Sequence, residues 1–524
     1  MTHPTSIKST ARAIWKRIGA EQGFTMIVAL GVMTVTALLV GAVLLAVQGD
    51  AYLTRADLDG QRAYSAAQAG VQAYLYQLNN STGYWDNCAN DTRGQTTVPG
   101  STTGVSYSWV AVPANSYTAC STGSTIPSLI DTATGTLRME FTGYSRAVTR
   151  TIVASFETVT PLKFLWYTVH ETADASTPGC GLSTFYYNSS IPPQCEIVWV
   201  TGDYLNGPMY TQDQFLVQPG GSPTFGRGPS DTIASQAPAA GTNPVCVAGN
   251  CQNANILGTT EPDVHPQVPL PTDNSALLTD ANTYGQVYAG TTTITMNPNG
   301  TTANVWNCPS SSSSAPCTNT PSLNLVTHPV IYATGSCGSS YSPTNVTYST
   351  NTTGHYFGTC GDIYVSGTYT TPLTIAAGDD VIVTGDLETT EVNGTPTGAA
   401  TLGLVASAYV RVMHSCTGGN PDLTIDGAIL TLTHSFFVDN YQCGGSSLGK
   451  LTVNGAIAQQ YRGIVGTVNA SGYLKNYNYD NRLAYALPPY LFNLTTFSWS
   501  AFRETLCTPN SNTASSASCS YTGP

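Results

Sequence analysis

The sequence predicts a mainly β protein with one long N-terminal α-helix, in which a small β unit is followed by a β-solenoid. Three observations carry that prediction. An uncharged apolar run opens at Phe24, its helical pattern continues to Leu78, and a strand-then-glycine phrase recurs beyond residue 160. Composition agrees, since only 9% of the 524 residues are charged, against about a quarter in ordinary soluble domains. Thr, Asn, Gly, Ser and Pro fill the gap, and 41% hydrophobic residues with 30 tyrosines supply enough apolar surface to build sheets. So long a chain exceeds one core and implies two or three domains.

Residues 1–23 form a basic leader carrying Lys8, Arg12, Lys16 and Arg17. From Phe24 to Val47 there is no Asp, Glu, Lys, Arg or His. A helix of that length spans about 36 Å, enough for a hydrocarbon core of roughly 30 Å. The basic residues ahead of it place the N-terminus in the cytoplasm and the bulk outside, as a single-pass membrane protein. A secretory signal would have a shorter apolar core followed by an Ala-x-Ala-like site. Beyond the membrane run, Leu53, Gly60, Tyr64, Ala67, Val71, Tyr74 and Leu78 form one helical stripe, and Asn79–Gly83 ends it.

Residues 81–160 read as a small β domain, with strands expected at 105–112, 137–144 and 148–156 and a hairpin near Gly143–Arg146. Residues 161–507 read as the solenoid. Its phrase appears at Val198–Tyr204, Ile363–Gly367, Val381–Leu387, Leu423–Ile429 and Leu451–Ile457, each an apolar-x-apolar strand turning at glycine. Strands too short for their own core imply stacked coils, a right-handed β-helix before a β-sandwich with long loops. Pro219–Pro262 and Asn297–Pro321 read as surface excursions, Asp273–Thr283 as a short helix, 473–490 as a capping or docking segment, and 508–524 as a tail.

The junction Gly23-Phe24-Thr25, between a basic leader and an apolar helix, resembles a type IV prepilin signal over roughly residues 15–78. That resemblance implies cleavage by a prepilin peptidase after Gly23, methylation of Phe24, and lateral assembly with other pilin-like subunits through the helix. Shaft-forming members carry Glu at the fifth mature position, where this chain has Val28. A Glu there would offset a neighbour's terminal amine in low dielectric. Its absence resembles PilX-type minor pilins and implies a tip or adaptor subunit. The competing reading is a plain signal anchor.

The 14 cysteines all follow the apolar helix, which favours disulfides in an oxidising compartment. Taken as sequence neighbours, they pair as Cys88 with Cys120, Cys180 with Cys195, Cys246 with Cys251, Cys308 with Cys317, Cys337 with Cys360, Cys416 with Cys443, and Cys507 with Cys519. Cys-x-x-Cys knuckles and histidines at ligand spacing are both missing, so no metal and no cofactor are expected. Without residues 1–23 the net charge falls from −12 to −15, which excludes a general nucleic-acid binder.

The search for chemistry yields no catalytic set. Asp379-Asp380 are adjacent and face different ways, while Asp203, Asp386 and Asp426 sit at repeat corners as turn residues. Gly445–Gly449 copies the nucleophile-elbow pattern without its strand–turn–helix context. His434-Ser435 near Asp439 cannot converge from one strand. Tyr477, Tyr479, Tyr485 and Tyr490 are candidate glycan contacts, although tyrosine more often packs at a solenoid end. The expectation is a non-enzymatic surface subunit, structural and adhesive, whose ligand is a surface glycan or protein. The alternatives are a membrane-anchored glycan-active β-helix enzyme and a signal-anchored adhesin unrelated to pili.

Overall fold

The computed structural model describes residues 24–81, 84–101, 104–112, 130–131, 135–181, 185–187, 190–236, 246–262, 269–335, 337, 341–416, 422–443, 447–467, 471–491 and 498–507. One helix runs from Phe24 to Asn80. Its first part, Met26–Val47, is exposed throughout and long and apolar enough to cross a membrane by length and composition. Its second part lies on an antiparallel sheet and buries Ala63, Ala66, Ala67, Val71, Tyr74 and Leu78. The small residues let the backbones approach closely. A Cβ on Gly143 would stand 1.9 Å from the Ala63 carbonyl oxygen, so only glycine fits beneath the helix there. Tyr74 fills the centre, its ring 5.4 Å from Trp109 and 5.9 Å from Phe141 in edge-on contacts.

The head sheet runs in the order Thr92–Thr97, Val105–Ala111, Thr136–Ser145, Val148–Val159, Ser498–Cys507. The three strands expected from the alternation are present, and Tyr107, Trp109, Leu137, Met139, Phe141 and Phe156 face the helix. The last strand corrects the domain boundary at 507. Ser498–Cys507 pairs antiparallel with Val148–Val159, so the chain returns to the head after the solenoid. The solenoid is therefore an insertion within the head sheet, tethered at both ends.

The solenoid is a 21-stranded sheet dominated by parallel pairs. One ladder stacks Gln286–Ala289, Val330–Thr334, Leu373–Ala377, Leu402–Ala406, Leu423–Thr431 and Ser447–Arg462. It then continues, without a break in hydrogen bonding, into Trp166–Ala173, Met209–Thr211, Thr232–Ser235 and Thr259–Pro262. Chain order and spatial order thus disagree. The chain enters at mid-stack and winds to one end by Pro262. It reappears at the far end at Gln286 and winds back until Ile457 pairs with Trp166. We call the contact between Ser447–Arg462 and Trp166–Ala173 the seam. On the return the chain runs alongside the stack, where Asn274 donates to the Ala377 carbonyl and accepts from the Tyr332 hydroxyl, and the helix Ser275–Tyr284 buries Leu277 and Ala281.

Two expected excursions resolve differently. Asn297–Pro321 is an outlying antiparallel hairpin closed by Cys308–Cys317. Pro219–Pro262, by contrast, contributes the coil strands Thr224–Phe225, Thr232–Ser235, Asn255–Ile256 and Thr259–Pro262. The expected docking segment is also partly a coil, because Gly472–Tyr479 pairs in parallel with both Ser447–Arg462 and Tyr204–Asn206.

Candidate functional site

Two features are candidates, the N-terminal helix and a groove at the junction of head and solenoid. On the helix, Gly23 lies outside the described residues, and Phe24 is the first helical residue. Val28 and Leu53 are exposed, Tyr64 is half-buried, and Val71 and Leu78 pack into the head core. The stripe read from the sequence therefore holds the head from Gly60 onward, while its first member, Leu53, is exposed.

The cysteines Cys180–Cys195, Cys246–Cys251, Cys308–Cys317, Cys337–Cys360 and Cys416–Cys443 are disulfide-bonded, with Cα separations of 5.5, 5.8, 4.5, 5.1 and 5.3 Å. These lie in the usual range. Cys337, Cys360 and Asp379 come together, but both thiols are used by the disulfide, so the cluster offers no thiolate to a metal. The pairings of Cys88 with Cys120 and Cys507 with Cys519 lie outside the described residues.

The tyrosine reading needs correction. Tyr477 is 0% exposed and stacks on Trp166, and Tyr479 is buried with its hydroxyl donating to the Leu162 carbonyl. Tyr477 is closed off from any ligand, whereas Tyr479 keeps an edge on the junction groove. The reason is strand parity: in Gly472–Tyr479 the rings alternate with Asn476 and Asn478, and the large apolar face takes the interior. Tyr490 is half-buried against Tyr284 at 5.3 Å. Tyr485 is half-buried, edge-on to Trp85 of the head at 6.0 Å, and lines the groove.

That groove has a volume of about 1330 Å³. Its floor is the outward face of neighbouring coils, where register sets polar residues in two rows. Thr424, Thr452 and Asn476 form one, and Asn454, Asn478 and Asn206 the other, which continues in register into the buried Asp426. The second row is a hydrogen-bonded amide ladder. Asn206 donates to Asn478 at 2.8 Å, Asn478 to Asn454 at 3.0 Å, and Asn454 to Asp426 at 2.9 Å. Asn454 also stands 3.2 Å from Glu391 on the hairpin that walls the groove. Burial pushes the Asp426 carboxyl up to about 7, with the Glu391 charge adding to it and the Thr389 N–H and Asn454 amide opposing.

The wall is held by arginines already engaged. Arg482 grips Asp480 and donates to the carbonyls of Thr397, Gly398 and Ala400. Arg227 grips Asp231 through two nitrogens, at 2.9 and 2.7 Å, and donates to Asn481. A signal for this floor existed in the sequence, since Asp426 and Asn454 occupy one position of the repeat phrase. Nothing in the sequence placed Trp85 or Glu391 beside it.

The other chemical candidates separate. His434 and Ser435 both contact Asp174, not Asp439, at 3.2 and 2.8 Å, so Ser435 bonds to the carboxylate and not to the imidazole. Asp439 is buried with Arg411, Tyr341 and Tyr348, and Asp380 binds the same guanidinium at 2.8 Å. Asp203 is paired with the buried Lys475 at 3.0 Å.

No protein-family model and no curated protein matches the chain. Among solved structures, the competence-associated pilin ComZ from Thermus thermophilus aligns with 86% of this chain and 98% of its own, at 12% identity and a TM-score of 0.28. That score does not show a shared fold.

Proposed function

We propose that this chain is a pilin-like minor subunit of the cell surface, a tip or adaptor component that carries its solenoid outward for adhesion. The observation that carries the reading is the divided helix Phe24–Asn80: apolar and unpartnered over Met26–Val47, then built into the head core. An apolar rod of that kind needs either a bilayer or the same rod on neighbouring subunits. Gly23-Phe24 at its start provides the processing site of the prepilin reading, and prepilin peptidase would leave a methylated Phe24. Val28 in place of an acidic residue supports the tip or adaptor position. The solenoid, inserted between two head strands, is a bulky load for a tightly wound shaft, which supports the same position.

The role we assign is binding without catalysis. Asp426 and Glu391 both accept from the one Asn454 amide, and Asp426 is buried, so the pair does not stand free on either side of the groove as an acid and a base acting on a glycosidic bond would. Mass spectrometry of the protein purified from membranes tests the reading. N-methyl-Phe24 at the mature terminus is expected, and an intact Met1 would overturn it.

A further inference from the structure

We propose that the junction groove binds an extended, uncharged oligosaccharide, lying across the Thr/Asn rows with one ring against Trp85. This goes beyond the surface-subunit reading and stands independently of prepilin processing, since it needs only the groove.

The floor argues for the sugar class. Successive coils lie about 4.8 Å apart, so the rows repeat a hydroxyl or amide at a fixed interval along the solenoid axis. Asn206 and Asn478, both half-buried, each use one N–H on a neighbour and keep a second N–H and a carbonyl lone pair for a ligand, while the buried Asn454 spends both N–H groups on Asp426 and Glu391 and holds the row in place. Thr424, Thr452 and Asn476 add half-buried groups beside them. A surface presenting paired donors and acceptors at regular spacing matches a chain of ring hydroxyls, which also donate and accept. Trp85 and Tyr485 form the aromatic rim, and the flat C–H face of a sugar ring suits an indole with an apolar body and one polar edge.

Charge narrows the class. Arg227 and Arg482 are taken up by Asp231, Asp480, Asn481 and backbone carbonyls, so they hold the wall in shape. Glu391 stands exposed at the wall. A uronate, a sulfated glycan or a nucleic acid would meet that carboxylate where both lining arginines are already paired with aspartates. A protein ligand would place apolar anchors at the centre of its interface, where this floor presents Thr and Asn side chains. The ladder is also polarised from Asn206 toward Asp426, which gives a bound chain one preferred direction.

The groove spans two structural units. Trp85 comes from the head and the rows from the solenoid, and Thr158 of the head fixes the junction by donating to the Ala484 carbonyl at 2.7 Å. The returning strand Ser498–Cys507 is what keeps these walls together.

Isothermal titration calorimetry of the full chain in detergent tests the assignment. The probes are hexasaccharides of glucose, mannose, galactose and N-acetylglucosamine, with hyaluronate and oligogalacturonate fragments and single-stranded DNA as anionic counterparts. At least one neutral hexasaccharide is expected to bind, and the anionic probes to bind at least about tenfold more weakly. Trp85→Ala, and Thr452→Ala with Asn476→Ala, are expected to weaken the neutral ligand by about tenfold each while circular dichroism stays unchanged. All these positions lie at the groove surface, and the amide ladder is left intact. Failure of every neutral probe at millimolar concentration, preference for an anionic probe, or binding indifferent to both variants would overturn the proposal. None of these outcomes bears on the identity of the mature N-terminus.

Discussion

Leu423–Thr431 and Ser447–Arg462 are neighbours both along the chain and in the stack, whereas Ser447–Arg462 and Trp166–Ala173 are neighbours only in the stack. The first contact joins two copies of one phrase in unbroken register, Leu423 on Leu451 through Leu430 on Ala458. It is so close that a Cβ on Gly455 would lie 1.8 Å from the Gly427 carbonyl oxygen. The seam joins unlike sequences, and its register slips between Tyr461 and Arg462. Where the repeat supplies like-on-like stacking, the coils hold through apolar rows. At the seam, buried charge does part of that work. Arg462 and Glu171, both 0% exposed, meet at 3.1 Å, the guanidinium lies 3.6 Å over the Trp199 ring, and Trp166 donates to the same carboxylate at 2.8 Å. A geometry-dependent pair of this kind fixes one register among several that apolar stacking would tolerate.

The largest effect is therefore expected at the seam. Arg462→Met leaves Glu171 buried without its cation and should cost about 3–5 kcal/mol. Adding Glu171→Gln, which still accepts from Trp166, should recover much of the loss. Denaturant unfolding of the full chain in detergent checks both.

Next comes a staple on the chain-local side. Cys416–Cys443 joins residues 27 apart across neighbouring coils. Replacing both by Ser should cost about 3 kcal/mol by freeing the unfolded chain. Among the described residues every disulfide closes a loop of this length or shorter, and none crosses the seam. Reductant should consequently loosen coils without altering the Arg462–Glu171 coupling energy in a double-mutant cycle.

A graded effect follows from Asp213, which accepts from the Glu171 and Tyr186 amides. Burial, with the Glu171 charge adding, pushes its carboxyl up to about 7. The folded state then holds a proton that the unfolded chain has released, so stability falls as pH rises from about 4 to about 7 and levels off above. Asp362 and Asp426 are raised to about 7 as well, burial again being the first cause, and act in the same direction. His170 works against them. Burial lowers it to about 4, so its contribution is lost as pH falls from about 6.5 toward 4. Melting temperatures across pH 4–8 should show the net decline toward neutrality.

The same contrast explains what the sequence could reveal. The helix to Asn80, the three central head strands and the like-on-like coils rest on local periodicity and were readable, whereas the edge strand Thr92–Thr97 was not. The seam rests on residues 291 apart at Glu171 and Arg462, and no phrase is shared across it. The return of Ser498–Cys507 to the head was hidden for a related reason: an edge strand's partner is decided by tertiary placement. Half of the groove floor was legible, because Asp426 and Asn454 hold one place in the repeat. The rim was not, because Trp85 reaches it only through the folding of the head. Tyr477 misled because alternation gives two faces without saying which is inside. Burial of the rings decides that, and it turns Asn476 and Asn478 outward.

The smallest expected effect tests that decision on one strand. Leu474 lies on the outward face of Gly472–Tyr479, 41% exposed, while Tyr477 on the inward face is 0% exposed. Leu474→Lys should change stability by no more than about 0.5 kcal/mol, as surface substitutions do. Tyr477→Ala should cost roughly 3–5 kcal/mol, because it removes the ring stacked on Trp166 and leaves a cavity beside the seam. Equal costs at the two positions would mean that this strand is not seated between Ser447–Arg462 and Tyr204–Asn206. In that case the Asn rows would not face the groove, and the inference drawn from them would fall with the register.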